Sequence, residues 1–435
     1  MKRLRELGKT VLIYLLIAAA LFQTILLWDA FLSGGGQSIF ERLFGEETPV
    51  YEGQMAYEQL SYAQDVLQPL GAAVRTQAAS DEATLYTAPN REEAAAVFDR
   101  ASLLLTEALE SAGEPSLITS DHWQEVLDAP MVMLDFGGTV GLDTLAYLMG
   151  AGLQADLEGR LRWLVMASVE DTLWLCYRSE ERGIYAMETQ IAGQVLESLC
   201  EQYEPDGGYF AYERGLGQAR DVLLVKPERM YPVVTTALLE EELTEAEYDR
   251  MLAAVLEGLG FNSYTVRSYT ESDGTKVYIE DERVLRLDTD GRISYTDMLA
   301  MIPAGEPDVE ARAARIGEAS RLAESVLSVW LGDAGFYLMD AAFDEDAGEY
   351  VVTLGLEISG EMLIPQQGFA LRAAFRGSRM VAADFVLRSY RRESASETLM
   401  PAAQALAATG GKAGFGMYYV EGKDSTIFPG WYVKE

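Results

Sequence analysis

Hydrophobic and polar positions divide the chain into two unequal parts. Val11 to Trp28 is an eighteen-residue run without charge, in which only Tyr14, Gln23 and Thr24 carry polar side-chain groups. That is close to the length a helix needs to cross a bilayer. From Ala56 onward apolar residues return at shorter intervals. Ala56–Leu70 and Arg91–Ala112 have helical spacing, and the second follows an Asn90 cap with Glu92 and Glu93 in its first turn. Leu161–Met166, Thr172–Tyr177 and Ile184–Thr189 run apolar or alternate as strands do, and Ile191–Leu199 returns to a helical period.

Beyond residue 243 the spacing predicts a helix followed by a meander, twice. Thr244 caps an amphipathic stretch through Leu259, which Gly258 and Gly260 end. Strands at Ser263–Thr270, Lys276–Ile279, Val284–Leu287 and Arg292–Thr296 follow. Ser-Asp-Gly at 272–274 and Thr-Asp-Gly at 289–291 are hairpin turn signals between them. A second helix from about Asp308 to Leu331 precedes strands around Tyr337–Ala342, Glu349–Ile358, Phe369–Phe375 and Met380–Leu387. A helix at Ser396–Ala408 and two last strands complete the pattern. This order predicts α+β domains, helices on one face of antiparallel sheets, with no βαβ crossover. The predicted divisions are a tail at 1–10, an anchor at 11–28, a linker at 29–50, and domains at 51–205, 206–305 and 306–435.

Charge orients the apolar run. Lys2, Arg3, Arg5 and Lys9 precede it against the single acid Glu6, so the positive-inside bias holds the N-terminus in the cytoplasm and exports the remainder. A cleaved signal peptide is the rival, since Ala18, Ala19 and Ala20 offer small residues. They stand mid-run, however, and Leu21, Phe22, Ile25, Leu26 and Leu27 continue to an interfacial Trp28. An uncleaved single-pass anchor is therefore expected. No Cys closely follows the run, which excludes a lipoprotein anchor. Gly34, Gly35, Gly36, Ser38 and Pro49 mark the linker.

Composition then narrows the functions. Without residues 1–28, which hold four basic residues and one acid, 30 basic and 68 acidic residues remain, a net charge of −38. Nucleic-acid binding needs a basic footprint and is excluded as a main role. Anionic polymers are disfavoured too, apart from a local patch such as Arg388, Arg391 and Arg392. Apolar content of 49% is enough for genuine cores. Cys176 and Cys200 stand either as one bridge or as two buried thiols.

The chemical inventory is thin. His122, the single histidine, sits in Ser-Asp-His-Trp and reads as a loop or cap residue. No GxSxG, HExxH or CxxC occurs, so catalytic triads and zinc sites have no signature, and neither an enzyme activity nor a cofactor or metal is expected. Gly410-Gly411-Lys412 lacks the Ser/Thr of a phosphate loop and reads as a turn. Asp344-Glu-Asp-Ala-Gly348 opens like a calcium loop without its third ligand or distant Glu, and reads as a hairpin turn. Gly137, Gly138, Gly141, Gly150 and Gly152 fit either a ligand pocket or turns with close-packed backbone.

Two segments resemble a known family. Ser272-Asp-Gly-Thr-Lys-Val-Tyr-Ile-Glu-Asp-Glu-Arg-Val-Leu-Arg-Leu-Asp-Thr-Asp-Gly-Arg-Ile-Ser-Tyr295 is similar to the pattern of YycH, an extracytoplasmic regulator of a WalK-type sensor histidine kinase. Ile427-Phe-Pro-Gly-Trp-Tyr-Val433 is similar to the close of the C-terminal domain that YycH shares with its companion YycI, in the style of PepSY modules. The resemblance implies a membrane-anchored, non-enzymatic regulator whose partners are a sensor kinase and a YycI-like protein. It implies further that the anchor packs on the kinase's transmembrane helices, and Ala18, Ala19, Ala20, Gln23 and Thr24 offer a small and polar face for that contact. An envelope or sporulation binding protein, or a PepSY-like protease inhibitor, is the alternative.

Overall fold

The amphipathic periods resolve into helices laid on a long, mostly antiparallel sheet. In a computed structural model the described residues are 60–79, 83–152, 159–179, 183–218, 222–298, 305–409 and 415–433. The expected anchor, its face at Ala18, Ala19, Ala20, Gln23 and Thr24, the linker, and the Gly410-Gly411-Lys412 turn lie outside them. Among the described residues no helix is long and apolar enough to cross a membrane.

The first part of the sheet is built from β1 (Gly71–Arg75), β2 (Leu85–Thr87), β3 (Ser116–Leu117), β4 (Met131–Gly141), β5 (Arg160–Val169), β6 (Thr172–Ser179) and β7 (Gly183–Ala192), in the antiparallel order β2-β1-β4-β5-β6-β7-β3. The helix Arg91–Ser111 covers one face. Asn90 caps it by accepting the Glu93 N–H, and Ala94, Val97, Ala101, Leu104, Leu105, Ala108 and Leu109 form the buried stripe that helical spacing requires. A fully buried side chain of Leu size is worth about 1.5–3 kcal/mol, so this stripe, and not intrinsic propensity, holds the helix in place.

A short hairpin of β8 (Tyr209–Phe210) and β9 (Leu224–Val225) leads to β10 (Met230–Leu238). The meander follows as β11 (Arg267–Thr270), β12 (Lys276–Glu280), β13 (Arg283–Leu287) and β14 (Arg292–Asp297). Its turns are those the sequence signalled. Gly274 and Gly291 adopt φ of +95° and +81°, and the Asp273 and Asp290 carboxylates accept the N–H groups of Thr275 and Arg292. The helical run from Val309 to Leu331 is continuous, with a π turn at Ala323–Leu327 and Asp308 as its cap.

After it come β15 (Gly335–Asp344), β16 (Glu349–Ile358), β17 (Glu361–Ile364), β18 (Leu371–Arg376) and β19 (Arg379–Val386). Strand β19 pairs with β18 on one side and β14 on the other, giving the order β11-β12-β13-β14-β19-β18-β16-β15. This corrects the segment expected as a helix from Ser396: Arg388–Thr398 is β20, zipped along β10, and the helix is Ala402–Thr409. From Arg391 the strand is exposed on both faces, so it has no apolar period to read, and Pro401 delays the helix. Strands β21 (Phe415–Val420), β22 (Thr426–Ile427) and β23 (Pro429–Val433) end the described chain.

The sheet is not wholly antiparallel. Strand β15 meets β4 in parallel at Asp340 and Thr139, and β17 meets β21 in parallel at Leu363–Ile364 and Tyr419–Val420. Pairing thus runs across the expected divisions at 205 and 305, and Glu58–Glu435 form one compact unit.

Candidate functional site

Where β4 crosses β15, both strands depart from regular pairing. On β4, Phe136–Thr139 bulge out opposite the single residue Arg162 of β5, between the paired positions Asp135–Trp163 and Val140–Leu161. On β15 the register slips at Met339. Bulges re-aim side chains, and these two open a cleft of about 700 Å³. That volume is typical of small-ligand sites. A further register shift between β5 and β6 turns Arg162 and Trp163 toward the same cleft, beside Arg160.

Two of the glycines singled out in the sequence form part of the wall. Gly137 has φ of +77°, and its N–H is accepted by the Asp135 carboxylate. At Gly138 a Cβ would fall 2.2 Å from the Leu338 carbonyl oxygen and 2.3 Å from that of Met339. Only a glycine lets the two backbones come so close. Gly141, Gly150 and Gly152 do not line the cleft.

Among the described residues four cations and three carboxylates line this cleft, in a chain where acids outnumber bases two to one. Asp135 holds Arg162 in a bidentate pair, with Oδ1 accepting from Nε at 2.9 Å and Oδ2 from Nη2 at 3.0 Å. Burial would raise the Asp135 carboxyl, but the Arg162 charge and its hydrogen bonds outweigh it and hold the group below the usual carboxylate range. Burial likewise opposes the Arg162 charge, and Asp135 overrides it and lifts the guanidinium still higher. Lys226 lies 3.0 Å from Glu361, which also takes Arg229. Arg160 pairs with Asp340 and donates to Thr139 Oγ1 at 2.9 Å. The Trp163 ring has guanidinium carbons on it from Arg162, at 4.9 Å, and Arg178, at 5.3 Å. Met133, Met339, Met362 and Met417 supply much of the apolar wall.

The other residues noted in the sequence lie elsewhere. His122 stands in the first turn of the helix Ser120–Asp128, its Nδ1 3.1 Å from Glu125 and its ring edge-on to Trp174. Cys176 and Cys200 are free and buried, so the bridge is not formed. The Asp344 side chain accepts the N–H groups of Asp346 and Ala347 at the β15–β16 hairpin, which spends it on the turn. Among the described residues no three His, Cys, Asp or Glu side chains are grouped to hold a metal ion. The basic patch is compensated, because Arg388, Arg391 and Arg392 pair with Glu421, Glu242 and Asp333. The sequence did not single out Arg160, Arg162, Trp163 or Met339. Their only signal was two arginines flanking a leucine before an aromatic residue in an otherwise apolar strand.

No family profile and no curated protein sequence matches the chain. Among solved structures it is similar to YycH from Bacillus subtilis, with a TM-score of 0.51 and 9% identity over 84% of this chain and 96% of that one. An uncharacterized protein from Eubacterium rectale aligns over 48% of this chain and 77% of its own, with 12% identity and a TM-score of 0.31, too distant to bear on the fold. The chain therefore shares the fold of YycH, the resemblance to which its meander and its closing strands pointed. Within that fold the Ser272–Tyr295 segment supplies β12, β13 and most of β14, and Trp431 of the closing motif stacks on Phe415 at 5.2 Å.

Proposed function

We propose that this chain is a membrane-anchored extracytoplasmic regulator that modulates a two-component sensor histidine kinase through protein–protein contacts. The observation that carries it is the fold shared with YycH over most of both chains, and the two motif segments in the sequence support it. The uncharged run Val11–Trp28 behind a basic tail supports the anchor and its orientation. The net charge suits a protein partner better than an anionic polymer or nucleic acid. A YycI-like companion and the kinase's own membrane helices are the partners this role implies, the second through Ala18, Ala19, Ala20, Gln23 and Thr24.

The test is genetic. Deleting the gene changes the phosphorylation of one response regulator in the host, and the wild-type chain restores it. The double variant Ala19→Leu and Gln23→Leu stays in the membrane but restores less, because a small-residue approach and one interhelical hydrogen bond of about 0.6–2 kcal/mol are lost. A reporter active only outside the cytoplasm, fused after Glu435, is active. If deletion leaves every response regulator unchanged, or the reporter is silent in a stable fusion, the proposal fails.

A further inference from the structure

The cleft at the β4–β15 crossing has features that a purely protein-binding regulator does not require. Three of its four described cations fall into two kinds, the fourth, Arg178, lying on the Trp163 ring. Arg162 and Lys226 are shielded, with side chains 18% and 14% exposed, and their carboxylate partners fix them as parts of the wall. Arg160 differs. Its side chain is 38% exposed and that of its partner Asp340 43%, so this pair faces solvent and its attraction is screened, while Thr139 Oγ1 also donates to Asp340 Oδ1 at 2.7 Å.

The Arg160 fork is also only partly used. Its Nη2 donates to Thr139 and Asp340, whereas its buried Nε has no acceptor among the described residues, as is also so for the Nε of Arg229 and Arg312. Arg162, by contrast, spends both Nε and Nη2 on one carboxylate. A buried N–H without an acceptor is costly, and a guanidinium is shaped for bidentate carboxylate binding. A ligand carboxylate that displaces Asp340 would satisfy both requirements.

The rest of the wall indicates what that carboxylate is attached to. Near-balance of cations and carboxylates among the described lining residues disfavours a polyanion. Met339, Met362 and Met417 form an adaptable apolar wall. Apolar side chains on a backbone that ends in, or carries, a carboxylate match both features. We propose that the cleft binds a short peptide, its carboxylate held by Arg160 and its apolar side chains on the Trp163 and methionine wall. The regulator would then also read an extracytoplasmic peptide, a property independent of which kinase it contacts.

The experiment uses the full chain purified in detergent and a pool of tripeptides made from Ala, Leu, Phe and Glu, followed by equilibrium dialysis and mass spectrometry. A second pool is amidated at its C-terminus, which separates terminal from side-chain carboxylates. Uronic-acid disaccharides form a third arm. The wild type retains carboxylate-bearing peptides with apolar neighbours. Peptides lacking any carboxylate bind at least tenfold more weakly, and so does the whole pool to Arg160→Gln. Arg160→Lys keeps the charge and the Asp340 pair but not the fork. It therefore binds more weakly than wild type even if Arg160→Gln fails to fold. Retention of no peptide, retention indifferent to loss of all carboxylates or to Arg160→Lys, or retention of disaccharides alone would overturn the proposal. None of these results depends on kinase output.

Discussion

Gly138→Ala tests the crossing that creates the cleft. The new Cβ would lie 2.2 Å from Leu338 O, 2.3 Å from Met339 O and 2.5 Å from Met339 C. Ordinary carbon–oxygen contacts are about 3.3–3.6 Å, so β4 and β15 must part by about 1 Å. All three obstructing atoms are backbone, and no rotamer change relieves them. Overpacking costs about 1–3 kcal/mol where side chains can adjust, and this site belongs at or beyond the top of that range. Reduced freedom of the unfolded chain returns about 0.4–1 kcal/mol, leaving a net loss of at least about 2 kcal/mol. Gly137→Ala adds a left-handed residue, at about 1–2 kcal/mol, against a Leu70 side chain that can move. Gly422→Ala meets nothing within 4 Å and is neutral or slightly stabilising. Urea unfolding followed by tryptophan fluorescence ranks the three, and with a slope of about 3 kcal/mol/M Gly138→Ala lowers the midpoint by at least about 0.7 M. Equal midpoints for Gly138→Ala and Gly422→Ala would refute the close crossing.

Two further outcomes follow from the buried groups. Asp135→Asn leaves Arg162 without its counter-charge, and with side chains 26% and 18% exposed the cost lies between that of surface and fully buried pairs, about 2–3 kcal/mol. Because the folded carboxyl lies below its unfolded value near 3.9, this stabilisation is complete above about pH 4 and is lost as pH falls through the folded value. Urea midpoints of wild type and Asp135→Asn therefore converge in acid, and a constant gap from pH 7 to pH 3 would contradict the pairing. Burial raises both thiols, Cys200 to about 12 with Glu197 and Glu201 adding to the effect. Ellman's reagent accordingly finds no fast thiol in the folded chain and two in denaturant, whereas none in denaturant would reveal a bridge.

Local chemistry made part of the fold legible. Asn90 followed by two acids, Asp308 before its helix, and the Asp-Gly turns at 273–274 and 290–291 each fix backbone geometry through neighbours in sequence, so one chain is enough to find them. Strand β4 was hidden because Gly137 and Gly138 look like a turn. Only the approach of β15, some 200 residues later, explains glycine inside a strand. Strand β20 was hidden for the opposite reason: beyond Tyr390 it buries neither face, and pairing with β10 alone defines it.

The cleft was harder to read than either, since its function-bearing contrast is between arginines two positions apart. Arg160 and Arg162 are equivalent in composition and in strand period. What separates them is that Asp135, inside β4, meets Arg162 across the ladder, while Asp340 reaches Arg160 from a strand brought in by a bulged parallel contact. The first partner is near enough in the fold to be rigid and enclosed, and the second stands at the rim. The sheet edge changes in the same way. The Val351–Leu387 strands leave no free edge at β19, which β14 covers. The exposed rim passes instead to β11, which pairs with β12 and, among the described residues, with no other strand. A site made by long-range register is thus set by bulges, and a bulge is visible only once both strands are in place.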